Sequence, residues 1–243
     1  MPDLTGGPYL DMLARLHAVL NPRSYLEIGV ETGATLALAR CAAIGIDPAF
    51  RFSDIELVRQ ITAKPSLMLY QMSSDAFFAS HDPTALLGRP IEMAFLDGMH
   101  RCEFLLRDFI NTERHCRPNA VVALHDCVPL ELPMAGRISG AESVDPRRRF
   151  MWTGDVWRTA LLLRRVRPDL QMTVLDAAPT GLVLITNLNP ACTKLRDGYA
   201  GFVRRMMGWS LENLTLPGFY QEIGLEPAQN LQCEEDITAR FWL

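Results

Sequence analysis

The chain has 243 residues and a mass of 27.3 kDa, which at ~150 residues per domain corresponds to a single α/β domain with appendages. Hydrophobic residues make up 49% and charged residues 21%, a globular composition that excludes collagen-like, low-complexity and intrinsically disordered chains. The net charge of −4 leaves no basic surface of the kind a phosphate backbone demands, so no nucleic-acid partner is expected.

No apolar run approaches the ~20 residues of a membrane span, and Met1–Tyr9 carries an acid at Asp3 where a secretory signal would carry basic residues. No membrane partner is expected. The six cysteines (41, 102, 116, 127, 192 and 233) include no Cys-x-x-Cys pair. They read as the reduced thiols of a cytoplasmic protein large enough to fold without cross-links.

In chain order, Leu10, Leu13, Leu16 and Leu20 recur at three- and four-residue steps, so 8–21 is an amphipathic helix that ends at Asn21-Pro22. His17 belongs on its surface. Apolar runs of strand length follow at Tyr25–Val30, Ala43–Ile46, Leu67–Met72, Met93–Leu96 and Ala120–Leu124. Between them lie the helical stretches Thr35–Cys41, Asp54–Ala63, Asp75–Ala79 and Arg101–His115. The runs do not alternate with polar residues, as expected of a parallel sheet covered on both faces. The βα repeat predicts a doubly wound sheet whose right-handed crossovers bring the strands' C-terminal ends to one edge, where ligands bind.

Residues 127–154 form a long connection with Pro129, Pro133, Pro146, Gly136, Gly140 and the basic cluster Arg147–Arg149, the length of a functional lid. A helix is expected from Asp155, its cap, to Val166. Gln171–Ala177 and Leu182–Ile185 are joined by Ala178–Gly181, a link that permits only antiparallel pairing. Leu195–Met207 is helical in pattern, and the rest of the arm 188–243 shows no strand. The expected organisation is one domain over 1–243, with a core at 22–187. His81 and His115 fall at helix ends, and Cys127 reads as an inert buried thiol.

Chemistry concentrates at the strand ends. The first strand runs into Glu27-Ile-Gly29-Val-Glu31-Thr-Gly33, where glycine allows a tight turn and close backbone approach by a ligand. Glu31 stands where a dinucleotide-binding loop has its middle glycine. A pyrophosphate would meet the carboxylates of Glu27 and Glu31, so the loop suits a ligand bearing an ammonium. Asp47, 18 residues beyond Gly29, can accept both hydrogen bonds of a ribose diol or cap a helix. Ser73-Ser74-Asp75 opens a short helix that Asp75 would cap, near where an adenine edge could lie. The fourth strand ends in Asp97-Gly-Met-His100 and the fifth in His125-Asp126, which puts four ionisable side chains on the ligand edge.

In the order of these motifs over residues 22–187, the chain resembles the class I S-adenosylmethionine-dependent methyltransferases. Glu27–Gly33 resembles the glycine motif, Asp47 the ribose-binding acid, Ser74-Asp75 the adenine corner and Asp97 the acid of the fourth strand. The terminal hairpin is similar to strands six and seven of that fold. Asp97–His100, His125-Asp126 and Gly154-Asp155-Val-Trp157 resemble a bacterial branch of sugar, macrolide and cephalosporin-type O-methyltransferases. The resemblance implies a Rossmann-like sheet of seven strands, S-adenosyl-L-methionine as cofactor and a small-molecule hydroxyl as acceptor. It also implies a divalent ion, magnesium or manganese, held by Asp97, His125 and Asp126. His125 departs from the oxygen ligand usual there and shifts the preference away from magnesium. A metal-free alternative makes His100 or His125 the base, oriented by Asp97 or Asp126, and a third reading leaves these residues purely structural.

The lid 127–154, with Phe150 and Trp152, and Trp157 just beyond it, is the expected cover. Arg147–Arg149 either face an acidic acceptor or are solvated. Trp209, Phe219, Tyr220 and Trp242 make the arm aromatic: a face to pack on the body, to join copies of the chain, or to cover the acceptor. Two other functions fit the pattern less well, a silent binding module and a nicotinamide-dependent oxidoreductase. Substitution of Gly29 by valine is expected to block the cofactor in an intact domain.

Overall fold

The apolar runs become strands buried on both faces. In the computed structural model, which describes residues 4–139, 143, 145–149 and 151–243, the strands are β1 (Ser24–Ile28), β2 (Ala42–Ile46), β3 (Leu67–Tyr70), β4 (Ile91–Leu96), β5 (Cys116–His125), β6 (Gln171–Leu175), β7 (Leu182–Thr186) and β8 (Leu225–Glu226). Every residue of β1, β4 and β7 is buried, as the lack of alternation requires. The sheet order is β3-β2-β1-β4-β5-β7-β6-β8. β1 to β5 pair in parallel, while β7 runs antiparallel to both β5 and β6.

The sequence predicts seven strands, and the eighth is a correction. Leu225 and Glu226 pair with Val174 and Leu175 of β6, too short a stretch to leave a periodic signal. β5 also starts earlier than its apolar run, at Cys116, with a register shift against β4 between Ile91 and Met93. Such an irregularity accommodates Pro118, which cannot donate to a regular ladder.

The helices are α1 (Tyr9–Leu20), α2 (Ile55–Thr62), α3 (Ser74–Ser80), α4 (Pro83–Leu87), α5 (Cys102–Glu113), α6 (Trp157–Val166), α7 (Lys194–Asp197), α8 (Tyr199–Met207), α9 (Leu211–Leu214), α10 (Leu216–Ile223) and α11 (Glu234–Thr238). Two differ from expectation for visible reasons. The helix predicted at 35–41 shrinks to a single turn, Leu36–Leu38, because the Thr35 hydroxyl bonds to Glu27 and the chain enters β2 at Ala42. The helix predicted from Leu195 breaks into α7 and α8 around Gly198. Caps shift as well. Ser73 rather than Asp75 caps α3, and Asp155 does not cap α6, whose first residue is Trp157.

Helices cover both faces. On one, α5 and α6 pack on the sheet with Phe109, Trp157 and Phe219 fully buried among them; on the other, α1 buries Leu13 and Leu16 against Tyr25 and Phe95. All six cysteines are free thiols. Among the described residues, no helix is long and apolar enough to cross a membrane.

Candidate active site

Because β1, β2, β4 and β5 are parallel, their carboxyl ends open together onto a cleft of about 700 Å³. Gly29, Glu31, Asp47, Ser74, Asp75, Asp97, His100, His125 and Asp126 all line it. Two residues named from the glycine loop do not. Glu27 is fully buried beneath the loop, where its carboxylate accepts hydrogen bonds from the hydroxyls of Tyr25 and Thr35, both at 2.6 Å. Burial pushes its pKa up to about 8 despite those bonds. Gly33 faces Phe52 and Ile61 instead of the cleft.

Gly29 (φ +87°) brings the end of β1 against β4 so closely that a Cβ would overlap the carbonyl of Asp97. Asp47 then organises the loop. Its carboxylate accepts the backbone N–H of Glu31 at 2.8 Å and of Ala49 at 2.6 Å. Each oxygen keeps a lone pair free for a further donor. Glu31 adopts φ +44° and pairs with Arg51 at 3.1 Å on the exposed rim.

The far wall comes from α3 and α5. Asp75, read as a cap, is instead held by Arg107 through two hydrogen bonds of 2.9 and 2.6 Å. Arg107 also donates to the Tyr199 hydroxyl of the arm at 2.7 Å. Asp108, not singled out from the sequence, lines the cleft beside Ser74 and Gly98. It is 3% exposed, and burial pushes its carboxyl up to about 7. Phe104 and Asp108, four residues apart on one face of α5, line the cleft together with Arg101, the residue that precedes the helix.

At the ends of β4 and β5 two carboxylates and two imidazoles interlock. His100 Nε2 lies 3.4 Å from Asp97 and 3.2 Å from Asp126, and its Nδ1–H donates to the Trp152 carbonyl at 2.9 Å. His125 Nδ1 is 3.3 Å from Asp97 and 3.5 Å from Asp126. Thr180 donates to Asp126 at 2.5 Å. Asp126 sits at φ +57°, a left-handed conformation that aspartate tolerates better than most residues and that marks functional turns. Although burial opposes it, the imidazoles of His125 and His100 hold the Asp97 carboxyl well below its usual range. Asp126 moves the other way, raised by burial and by the Asp97 charge. The carboxylates in turn raise both histidines against the effect of burial, His100 to about 9.

Two further residues complete the cluster. The Tyr9 ring, at the start of α1, packs against His125 with centroids 4.0 Å apart and planes tilted by 35°, and burial together with Asp97 and Asp126 raises its phenol. Trp152 packs its indole near His100, with ring centroids 5.2 Å apart, and donates to the Gly136 carbonyl. Gly154 (φ +62°) lets the end of the lid lie directly on the His100 backbone, and the Asp155 carboxylate accepts the Cys102 N–H that opens α5. Of the other lid residues, Trp157 is a correction, since it packs on Phe219 in the core. Phe150 and Gly140 lie outside the described residues. Arg147 pairs with Asp145, Arg148 is buried, and none of the three arginines lines the cleft.

Comparisons with known proteins bear on the fold. Residues 26–127 match the family model described as "Methyltransferase domain". The fold is similar to that of the O-methyltransferase TomG from Streptomyces achromogenes, solved with SAM (19% identity, TM-score 0.54, 78% of this chain and 84% of that one). It is also similar to an O-methyltransferase from Bacillus cereus in complex with SAH (16%, 0.51, 73% and 79%). Cofactor-bound Rv0187 from MTB is comparable (16%, 0.51, 74% and 80%). A search of curated proteins returned no match. Residues 26–127 thus match a methyltransferase domain, and the order of the sheet is that of a fold shared with these O-methyltransferases.

Proposed function

We propose that the protein transfers a methyl group from S-adenosylmethionine to a hydroxyl oxygen of a small molecule. One observation carries this reading: a single cleft joins Asp47 and the adenine corner at one end to the Asp97, His100, His125 and Asp126 cluster at the other. Asp47 would take the ribose diol, and Glu31 is the loop acid on the cleft that can face the ammonium. The neighbours solved with SAM or SAH support the choice of cofactor.

The cluster also fits a divalent cation. Asp97 Oδ1 and His125 Nδ1 are buried without a hydrogen-bond partner, the condition a cation would relieve. Asp97, Asp126 and His125 would hold the ion, and the mixed oxygen and nitrogen set suits manganese better than magnesium. When bound, such an ion lowers the pKa of the acceptor hydroxyl. His100 Nε2, held toward the cleft by its Nδ1–H bond to Trp152, would take the hydroxyl proton once the charges of Asp97 and Asp126, which otherwise keep the ring protonated, are compensated by the ion. The oxygen attacks the methyl carbon as the carbon–sulfur bond breaks, and the sulfur leaves as a neutral thioether. Alignment and exclusion of water can supply about 7–11 kcal/mol of the barrier reduction.

A second assignment exchanges the two histidines, because donor atoms of Asp97, His100 and Asp126 lie within 4.8 Å of one another. Calorimetric titration of the chelator-treated protein with S-adenosylhomocysteine, with and without manganese, tests both. Binding is expected, with Asp47→Ala weakening it at least tenfold. His125→Gln should abolish manganese binding and His100→Gln should leave it, and the reverse pattern exchanges their roles. No S-adenosylhomocysteine binding under any condition would overturn the proposal.

A further inference from the structure

A second cavity, of about 410 Å³, opens between α1, residues 36–40 and the C-terminal end of α2 and shares no lining residue with the cleft. We infer that it is a binding site for a small anion with an apolar body, a carboxylate on a short chain or ring. Alanines from all three elements, including Ala18 and Ala37, create the space. The polar lining is wholly neutral or basic: Lys64, His17, Arg40 and Gln60, with no acid among them. In a chain of net charge −4, that local excess of positive charge is directed at one ligand type.

Two buried groups in this wall lack the partners their burial demands. Lys64 is 8% exposed, yet its ammonium has only a long contact of 3.5 Å to the Gln60 carbonyl and, among the described residues, no ion pair. His17, also 8% exposed, has an Nδ1 without any hydrogen-bond partner. The acidic groups that act on Lys64 are Cys41, a thiol that burial pushes up to about 11, and Glu27, whose two oxygens are already engaged by Tyr25 and Thr35. A desolvated ammonium without a counter-charge is costly, and a ligand carboxylate supplies what is missing. The alanines and Leu38 offer the remainder of such a ligand an apolar wall, and the volume lies within the range of small-molecule sites.

Benzoate and inorganic phosphate, titrated into the full chain at neutral pH and fixed ionic strength and followed by NMR shifts, test the site. Benzoate should saturate, and phosphate, lacking an apolar body, should bind at least tenfold more weakly. Lys64→Met should weaken benzoate at least tenfold. Ala18→Phe, at an exposed position of α1, should do the same by filling the mouth with the core intact. Saturating S-adenosylhomocysteine should leave benzoate binding unchanged, so the result stands or falls independently of the methyltransferase reading. Absence of saturable binding, equal affinity in both variants, competition by S-adenosylhomocysteine, or phosphate binding tighter than benzoate would each overturn the assignment.

Discussion

At Gly29 the protein itself, not a ligand, forbids a side chain. A Cβ there would overlap the Asp97 carbonyl, and φ of +87° is unfavourable for any L-residue. Gly29→Val is therefore expected to part β1 from β4 and lower stability by more than about 1 kcal/mol. Chemical denaturation checks this; an unchanged midpoint with lost S-adenosylhomocysteine binding would return the residue to the role the sequence suggests. The same distinction governs Glu27. The motif marks it as a cofactor contact, but strand alternation puts it on the same face as Tyr25, under α1. That face was legible in the sequence, whereas the proximity of Tyr9 and Thr180 to His125 was not, since 116 and 55 positions separate them along the chain. Asp108 falls between these cases. Its spacing from Phe104 announces a shared face of α5, but only the packed sheet shows that this face meets the cleft.

At the scale of elements, α1 shows how far periodicity reaches. Its leucine spacing gives the helix and its buried stripe, while the imidazole of His17 suggests a surface position. The structure buries His17, one turn beyond Leu13 and edge-on to Tyr25 at 4.9 Å. Burial and the Lys64 charge push its pKa down to about 4. Between that value and the ordinary 6.5 the unfolded chain binds a proton that the folded chain does not. Stability is thus fully present above pH 6.5 and falls as the pH drops toward 4, by up to roughly 3 kcal/mol from this group. His17→Phe should flatten that part of the stability profile, measured by urea denaturation at pH 4.5 and 7. An identical slope in the variant would show that other groups carry the acid sensitivity. The short turn at 36–38 and the two-residue β8 escaped prediction for a related reason: each is stabilised by distant partners and contains too few residues to repeat a pattern.

For the whole molecule the question is whether residues 188–243 are an appendage or part of the core. The aromatic content of the arm allows either. In the structure the arm crosses both faces of the sheet. On one, Phe219 meets Trp157 with ring centroids 5.4 Å apart, and Tyr220 donates to the Pro129 carbonyl at 2.7 Å. Between them and the other face, β8 extends the sheet beyond β6. There Leu231, Ile237 and Phe241 are fully buried in the cluster that includes Leu13 and Leu16 of α1. Two adjacent residues near the end of the arm separate the readings. Phe241 is 0% exposed and Trp242 is 61% exposed, and the tie of Trp242 to the body is a backbone one, its carbonyl accepting from Asn119. Phe241→Ala should cost about 3–5 kcal/mol through lost burial and the cavity left behind, whereas Trp242→Ala should stay within about 0.5 kcal/mol. Denaturation midpoints of the two variants decide the matter. Equal, small effects would make the arm a loosely docked cover, and the expected asymmetry makes it a wall of the fold, so that changing the arm changes stability before it changes the acceptor.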